Sequence, residues 1–252
     1  MAKIIVFANQ KGGVGKTTTA VNLGAYLADV GKRVLLVDFD SQSNTTSSVG
    51  ADKNLPGIYE VITGKADPIS AIQACSVPGL SIIPSSINLT GATIELVDQA
   101  EREFFLKKAM DKIHDRFDYI FIDSPPSLGI LTLNGLVAAD FVIIPLQCEY
   151  FAMEGLGALT STIDLVKQSY NPQLQIEGIL LTMFDPRNNL SHQVAREVRD
   201  YFGSRVFRTV IPRNVRLGEA PSFGRPVVLY DAACPGALAY LALAKELMNK
   251  HR

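Results

Sequence analysis

The chain has 252 residues, 24 Lys and Arg against 25 Asp and Glu, and 47% hydrophobic residues, with only 19% charged. That balance excludes a disordered chain, and no run of about eighteen apolar residues offers a transmembrane helix. A first strand beginning at Lys3 leaves no room for a signal peptide, so the chain reads as cytoplasmic and long enough to bury one large core.

Cys75, Cys148 and Cys234 lack C-x-x-C spacing, so neither a disulfide framework nor a thiolate metal site is expected. His114, His192 and His251 are widely scattered and read as solvated side chains. The charge is unevenly spread. Met1 to Phe184 carries 13 Lys and Arg against 19 Asp and Glu, while Asp185 to Arg252 carries 11 against 6. An anionic partner on one face and an ordinary solvated surface both fit that asymmetry.

The elements follow in chain order. Lys3–Ala8 is short, apolar and β-branched, which reads as a buried strand. Lys11-Gly-Gly-Val-Gly-Lys-Thr-Thr18 follows it and opens a helix over Thr17–Val30. Strand, glycine loop and helix in that order form the setting of a nucleotide-phosphate loop. Gly12, Gly13, Val14 and Gly15 let backbone N–H groups converge on phosphate oxygens, and the helix N-terminus adds its positive dipole end. In this setting Lys16 neutralises the β- and γ-phosphates and the Thr17 hydroxyl ligates Mg²⁺. Position 10 is Gln rather than Gly, and a second lysine, Lys11, departs from the ordinary loop.

Arg33–Asp38 reads as the next strand, ending in Asp38-Phe-Asp40. Carboxylates there, near a phosphate-bound Mg²⁺, can orient or deprotonate an attacking water. Leu80–Pro84 is a third strand and Glu101–His114 a helix. Tyr119–Asp123 is an apolar strand ending in Asp, the form of a carboxylate that holds a water of the Mg²⁺ shell. Pro125 and Pro126 then stiffen its exit into a switch-like loop. Strands over Phe141–Pro145, Ile176–Thr182 and Val206–Ile211 alternate with helices over Met153–Gln168, Ser191–Phe202 and Pro235–Lys250. The loop Ile211–Pro221 reads equally as a base-stacking platform, a DNA-binding arginine pair or a surface turn. Unbroken apolar strands imply a parallel sheet covered on both faces. The expectation is α/β, one doubly wound domain over residues 1–252.

Together K-G-G-V-G-K-T-T, L-L-V-D-F-D-S-Q, Y-I-F-I-D-S-P-P-S-L, P-L-Q-C-E-Y-F-A-M-E-G-L and V-I-P-R-N-V-R-L-G-E-A-P-S resemble the ParA/Soj family of chromosome-partitioning ATPases, from about Lys3 to Glu246. The resemblance implies a deviant Walker A ATPase that uses ATP and Mg²⁺ and forms an ATP-bound homodimer. It implies sequence-independent binding to nucleoid DNA and stimulation by a ParB-type protein. Carried over by position, Lys11 is the signature lysine, Lys16 the phosphate-loop lysine and Thr17 the Mg²⁺ ligand, with Thr18 completing the loop. Asp40 positions the attacking water, and Asp123 holds the metal through a water. Pro212 and Arg213 line the adenine pocket, and Arg187 and Arg216 serve DNA. Ser41 and Ser43 depart from the family's usual Pro and Gly, which implies altered loop stiffness.

Relatives with other roles are weighed on the same residues. A MinD-like membrane helix is disfavoured, because the stripe at 238, 241, 244 and 248 reads as core-facing and only Lys250 and Arg252 follow it. Cys75 and Cys148 lack the context of an iron-protein cluster. No N-terminal helix-turn-helix extension is expected. A ParA-like ATPase moving another cargo, and a nucleotide switch acting on replication initiation, are the alternatives.

Overall fold

β-Branched and aromatic runs build the sheet, and the computed structural model describes residues 1–149 and 152–251 of the chain. The strands are β1 (Lys3–Phe7), β2 (Val34–Asp38), β3 (Gln73–Ala74), β4 (Leu80–Ile83), β5 (Tyr119–Asp123), β6 (Phe141–Gln147) and β7 (Gln175–Thr182). They lie in the order β3-β4-β2-β5-β1-β6-β7. Every neighbouring pair is parallel except β3 with β4. The helices are α1 (Lys16–Asp29), α2 (Asn44–Ser48), α3 (Ile58–Ile62), α4 (Leu89–Glu95), α5 (Phe105–Met110), α6 (Ile130–Ala138), α7 (Ala152–Ser169), α8 (Asn189–Phe202), α9 (Val215–Glu219), α10 (Val227–Tyr230) and α11 (Pro235–Lys250).

Alternation along β1 divides the core. Ile5 and Phe7 face α1 and α11, while Ile4, Val6 and Ala8 face the opposite apolar layer. The chain winds from β1 to β2 and β4 on one side, returns to β5 between β2 and β1, and then crosses to β6 and β7 on the other side. The exit of β1 therefore lies where the winding reverses, the crevice in which open α/β sheets place their ligands. Register completes the arrangement, since Phe7 and Asp38 both pair with Asp123. Three chemically important strand ends thus stand level.

Several expectations need correction. Val206–Ile211 is not a continuous strand: it makes an isolated bridge from Val206 to Ile179, and only Phe207 N and Ile211 N, among its described N–H groups, donate to β7, at Ile179 O and Leu181 O, 3.0 and 2.9 Å. The backbone N–H groups of Arg208 and Thr209 instead donate to the Glu246 carboxylate of α11, at 2.7 and 2.9 Å. A carboxylate with two acceptor oxygens has interrupted the ladder between Phe207 and Ile211. Glu101–His114 is not one helix either, because Glu101 has a left-handed φ of 56° and helical residues resume as α5. Asn134 of α6, a helix not foreseen, takes the local groups there: its Oδ1 accepts from Leu106 N at 3.1 Å and its Nδ2 donates to Arg102 O at 2.8 Å.

The buried residues of α11 include Ala237, Tyr240, Leu243, Ala244 and Leu247, with Leu241 and Met248 half-buried against the same core, so of the expected stripe at 238, 241, 244 and 248 only Leu238 faces away. Leu238 is 54% exposed. The helix nevertheless packs on the core, against α1. No helix among the described residues is long and apolar enough to cross a membrane. His251 is not solvated, for its ring sits against Tyr119 and its Nε2 lies 3.1 Å from Glu177 Oε2.

Candidate functional site

The loop between β1 and α1 takes its shape from glycine and is fastened at both ends. Gly13 and Gly15 have φ of 74° and 89°, left-handed values that L side chains rarely adopt. Asn9 ties the loop's start to the next strand, donating to Pro145 O at 2.8 Å and accepting from Lys11 N at 3.0 Å. Thr182, at the end of β7, donates to Val14 O at 2.8 Å. Neither anchor was foreseen. A lone Asn or Thr at a strand end carries no pattern until the strands are placed.

Lys16 is buried, and its Nζ donates to Asn9 O at 3.1 Å and Lys11 O at 3.3 Å. Burial lowers its pKa, opposed by the charges of Asp123 and Asp40. An ammonium held on carbonyls alone gains from any anion brought to the cradle. Asp123 stands beside it at the end of β5. Its Oδ2 accepts from Thr17 Oγ1 at 2.6 Å and Thr45 Oγ1 at 2.7 Å. Its Oδ1 is buried with no hydrogen-bond partner among the described residues. A spare carboxylate oxygen next to a loop threonine hydroxyl is a hard-oxygen set, and it fits Mg²⁺.

Asp38 is fully buried one strand away. Burial and the neighbouring Asp123 push its carboxyl up to about 7. Burial likewise raises Asp123 to about 6, against the hydrogen bonds from Thr17 and Thr45 and the charge of Lys16. Asp40 lies half-buried on the loop beyond, its Oδ1 accepting from Gln42 N at 3.0 Å. Ser43 closes that loop with φ of 55°. A left-handed backbone there gives a physical reason for a glycine preference, and Ser pays about 1–2 kcal/mol for it.

Pro212 and Arg213 do meet the loop. With Gly15, Thr18, Met183 and Tyr240 they line a cavity of about 170 Å³. Met183 adopts a φ of 50°, strain of the kind concentrated at ligand sites. Pro126 of the switch-like loop lies over Gly12, 3.8 Å from where a Cβ would stand. The Lys11 side chain pairs with Glu149 Oε2 at 2.5 Å, both side chains about half exposed. Arg187 and Arg216 do not line the cavity beside Pro212, although Arg216 borders a neighbouring one with Arg213. Arg187 forks onto Asp185 at 3.0 and 2.9 Å, and Arg216 reaches Glu219 at 2.8 Å and Asp231 at 3.4 Å.

A doubly wound sheet with a glycine phosphate loop, a second loop lysine and a metal-competent strand-end aspartate defines a P-loop nucleotide-binding protein of the deviant Walker A type. The AAA domain family AAA_31 matches residues 2–176. The chromosome-partitioning ATPase Soj of Treponema pallidum is 54% identical over 250 residues, spanning 99% of this chain and 98% of that protein. The sporulation initiation inhibitor protein Soj of Bacillus subtilis is 55% identical over 249 residues, spanning 98% of each. Among solved structures, cobyrinic acid a,c-diamide synthase from Mycobacterium smegmatis with bound ADP and magnesium superposes with a TM-score of 0.87 at 40% identity, covering 100% of this chain and 96% of that one. The chain belongs to the Soj/ParA family of chromosome-partitioning ATPases.

Proposed function

We propose that the protein is a Mg²⁺-dependent ATPase that dimerises on ATP, binds DNA without sequence preference and partitions chromosomes with a ParB-type partner. One observation carries the reading: the Thr17–Asp123 pair, with its spare carboxylate oxygen, stands beside Lys16 at the mouth of the glycine loop. Supporting it, the Treponema pallidum relative is named an ATPase and the Mycobacterium smegmatis neighbour holds ADP and magnesium.

In this reading the loop N–H groups, Lys16 and Thr18 bind the phosphates, and Pro212 and Arg213 flank the base. Thr17 would hold the metal directly and Asp123 would hold it through a water. The metal, when bound, offsets charge on the β- and γ-phosphates. Asp40 orients the attacking water, and Lys11 leaves Glu149 to reach the nucleotide of a second copy. An ion pair so exposed is weak and readily exchanged. The whole chain acts as one ATPase domain in the cytoplasm, on the nucleoid.

The test is ATP turnover with DNA and a ParB-type peptide. Asp40→Ala should bind ATP and dimerise, yet lose about 10²–10⁴-fold in turnover. Near-normal stimulated turnover in that variant would place the water-orienting role elsewhere.

A further inference from the structure

The Asp40 loop is suspended from a buried relay that begins on another strand. Ser85, just past β4, donates its backbone N–H to Thr46 Oγ1 at 2.9 Å. The Thr46 hydroxyl donates in turn to Asp38 Oδ2 at 2.6 Å, and Thr46 N donates to the same oxygen at 2.8 Å. Asp38 Oδ1 accepts from Asp40 N at 3.3 Å. Thr46 and Asp38 are completely buried and Ser85 is 1% exposed. One carboxylate therefore holds both the start and the end of the loop, and the Thr46 hydroxyl sets where that carboxylate points.

We propose that Thr46 is a positioning residue for hydrolysis, fixing the Asp40 carboxylate through Asp38. The proposal rests on the reading that Asp40 orients the attacking water. Outside the relay, Phe39 N donates to Asp123 O at 3.0 Å and Thr45 Oγ1 to Asp123 Oδ2 at 2.7 Å at the two flanks, while within the turn Gln42 N and Ser43 N fold back onto Asp40 itself, at 3.0 and 2.9 Å. These last two shape the turn but do not anchor it to the sheet. Through the relay the anchor is Ser85 on one side and the end of β2 on the other. A bond chain that served only to fasten α2 would not need Asp38 to reach Asp40 as well. Thr46 is also remote in role from nucleotide binding, because its hydroxyl is consumed by Asp38 and Ser85. Its loss should thus alter the chemical step rather than affinity.

Thr46→Val keeps the shape but removes the hydroxyl, leaving the Ser85 N–H unpaired and Asp38 with one donor fewer. Thr46→Ser keeps the hydroxyl. Steady-state turnover and KM for ATP with Mg²⁺, DNA and a ParB-type peptide would be measured for both, for Asp40→Ala and for the double variant, below their melting temperatures. A displaced carboxylate predicts a kcat about 10- to 100-fold lower for Thr46→Val, with KM within about twofold and Thr46→Ser close to wild type. Because the two residues act as one unit, Thr46→Val added to Asp40→Ala should cost nothing further. Wild-type kcat in Thr46→Val would overturn the proposal. So would KM rising in step with the loss, failure of Thr46→Ser to restore turnover, or an additive loss in the double variant. If Asp40→Ala itself keeps its turnover, the reading beneath the proposal fails, a result distinct from the others. Should Thr46→Val not fold, as its melting curve reports, Asp38→Asn carries the same comparison against Asp40→Ala.

Discussion

Asp38 and Asp123 are register-matched neighbours on β2 and β5, and neither reaches solvent. Their carboxyls hold protons at pH values where the unfolded chain, with Asp near 3.8, has released them. Proton linkage then runs opposite to the usual carboxylate case. The stability these two groups contribute is full below about pH 4 and is lost as pH rises to about 7. Asp38→Asn should therefore flatten the decline in melting temperature of nucleotide-free protein across that window. Parallel curves for the variant and the wild type would contradict the raised carboxyl. If Asp123 serves Mg²⁺ as proposed it must be ionised, so Mg²⁺ affinity should climb over the same interval. Asp38 and Asp40 were legible in the sequence as an Asp-x-Asp after an apolar run. Thr45 and Thr46 were not, since a hydroxyl becomes informative only when a strand eight residues back and another from β5 converge on it.

At the scale of elements, apolar runs located most of the described strands, because a parallel sheet buried on both faces demands them. The failures share one cause. Val206–Ile211 and Glu101–His114 lose their expected form where a distant side chain, Glu246 or Asn134, takes the backbone groups. The register of α11 makes the point quantitatively testable. Leu243 is fully buried against the α1 side of the sheet, whereas Leu238 is 54% exposed. Leu243→Ala should cost about 2–5 kcal/mol in denaturant unfolding, and Leu238→Ala should stay within about 0.5 kcal/mol. A stripe running through 238 would reverse that order.

At the scale of the whole molecule, the predicted dimer and DNA surface draw on side chains that the monomer leaves at least half exposed. Gly12 has open space beside it, its nearest neighbour being Pro126 at 3.8 Å from an added Cβ. Gly12→Ala should accordingly fold and bind nucleotide as a monomer. Lys11→Ala should also stay monomeric with ATP and Mg²⁺, and light scattering showing an ATP-dependent dimer of Lys11→Ala would remove the role given to that lysine. Arg216 already carries Glu219 and Asp231, so its loss uncovers two carboxylates as well as removing a cation. Arg216→Ala should weaken binding to two unrelated duplexes equally. It should also flatten log affinity against log salt by about 0.9 per lost phosphate contact. Unchanged affinity would clear Arg216 of the DNA surface.

The sequence by itself determined β1, β2, β4, β5, β6 and β7, the glycine loop with its two lysines, and the aspartates that end β2 and β5. Each of these is written in a local pattern: an apolar run, a glycine spacing, a charge at a strand's exit. Only the tertiary structure decided which strand ends stand level and which hydroxyls reach the two buried carboxylates. It also decided that Lys11 rests on Glu149, and that Pro212 and Arg213 close a cavity with the loop. Those contacts join residues up to about two hundred positions apart. Their geometry is set by strand order and helix packing, which no local spacing encodes.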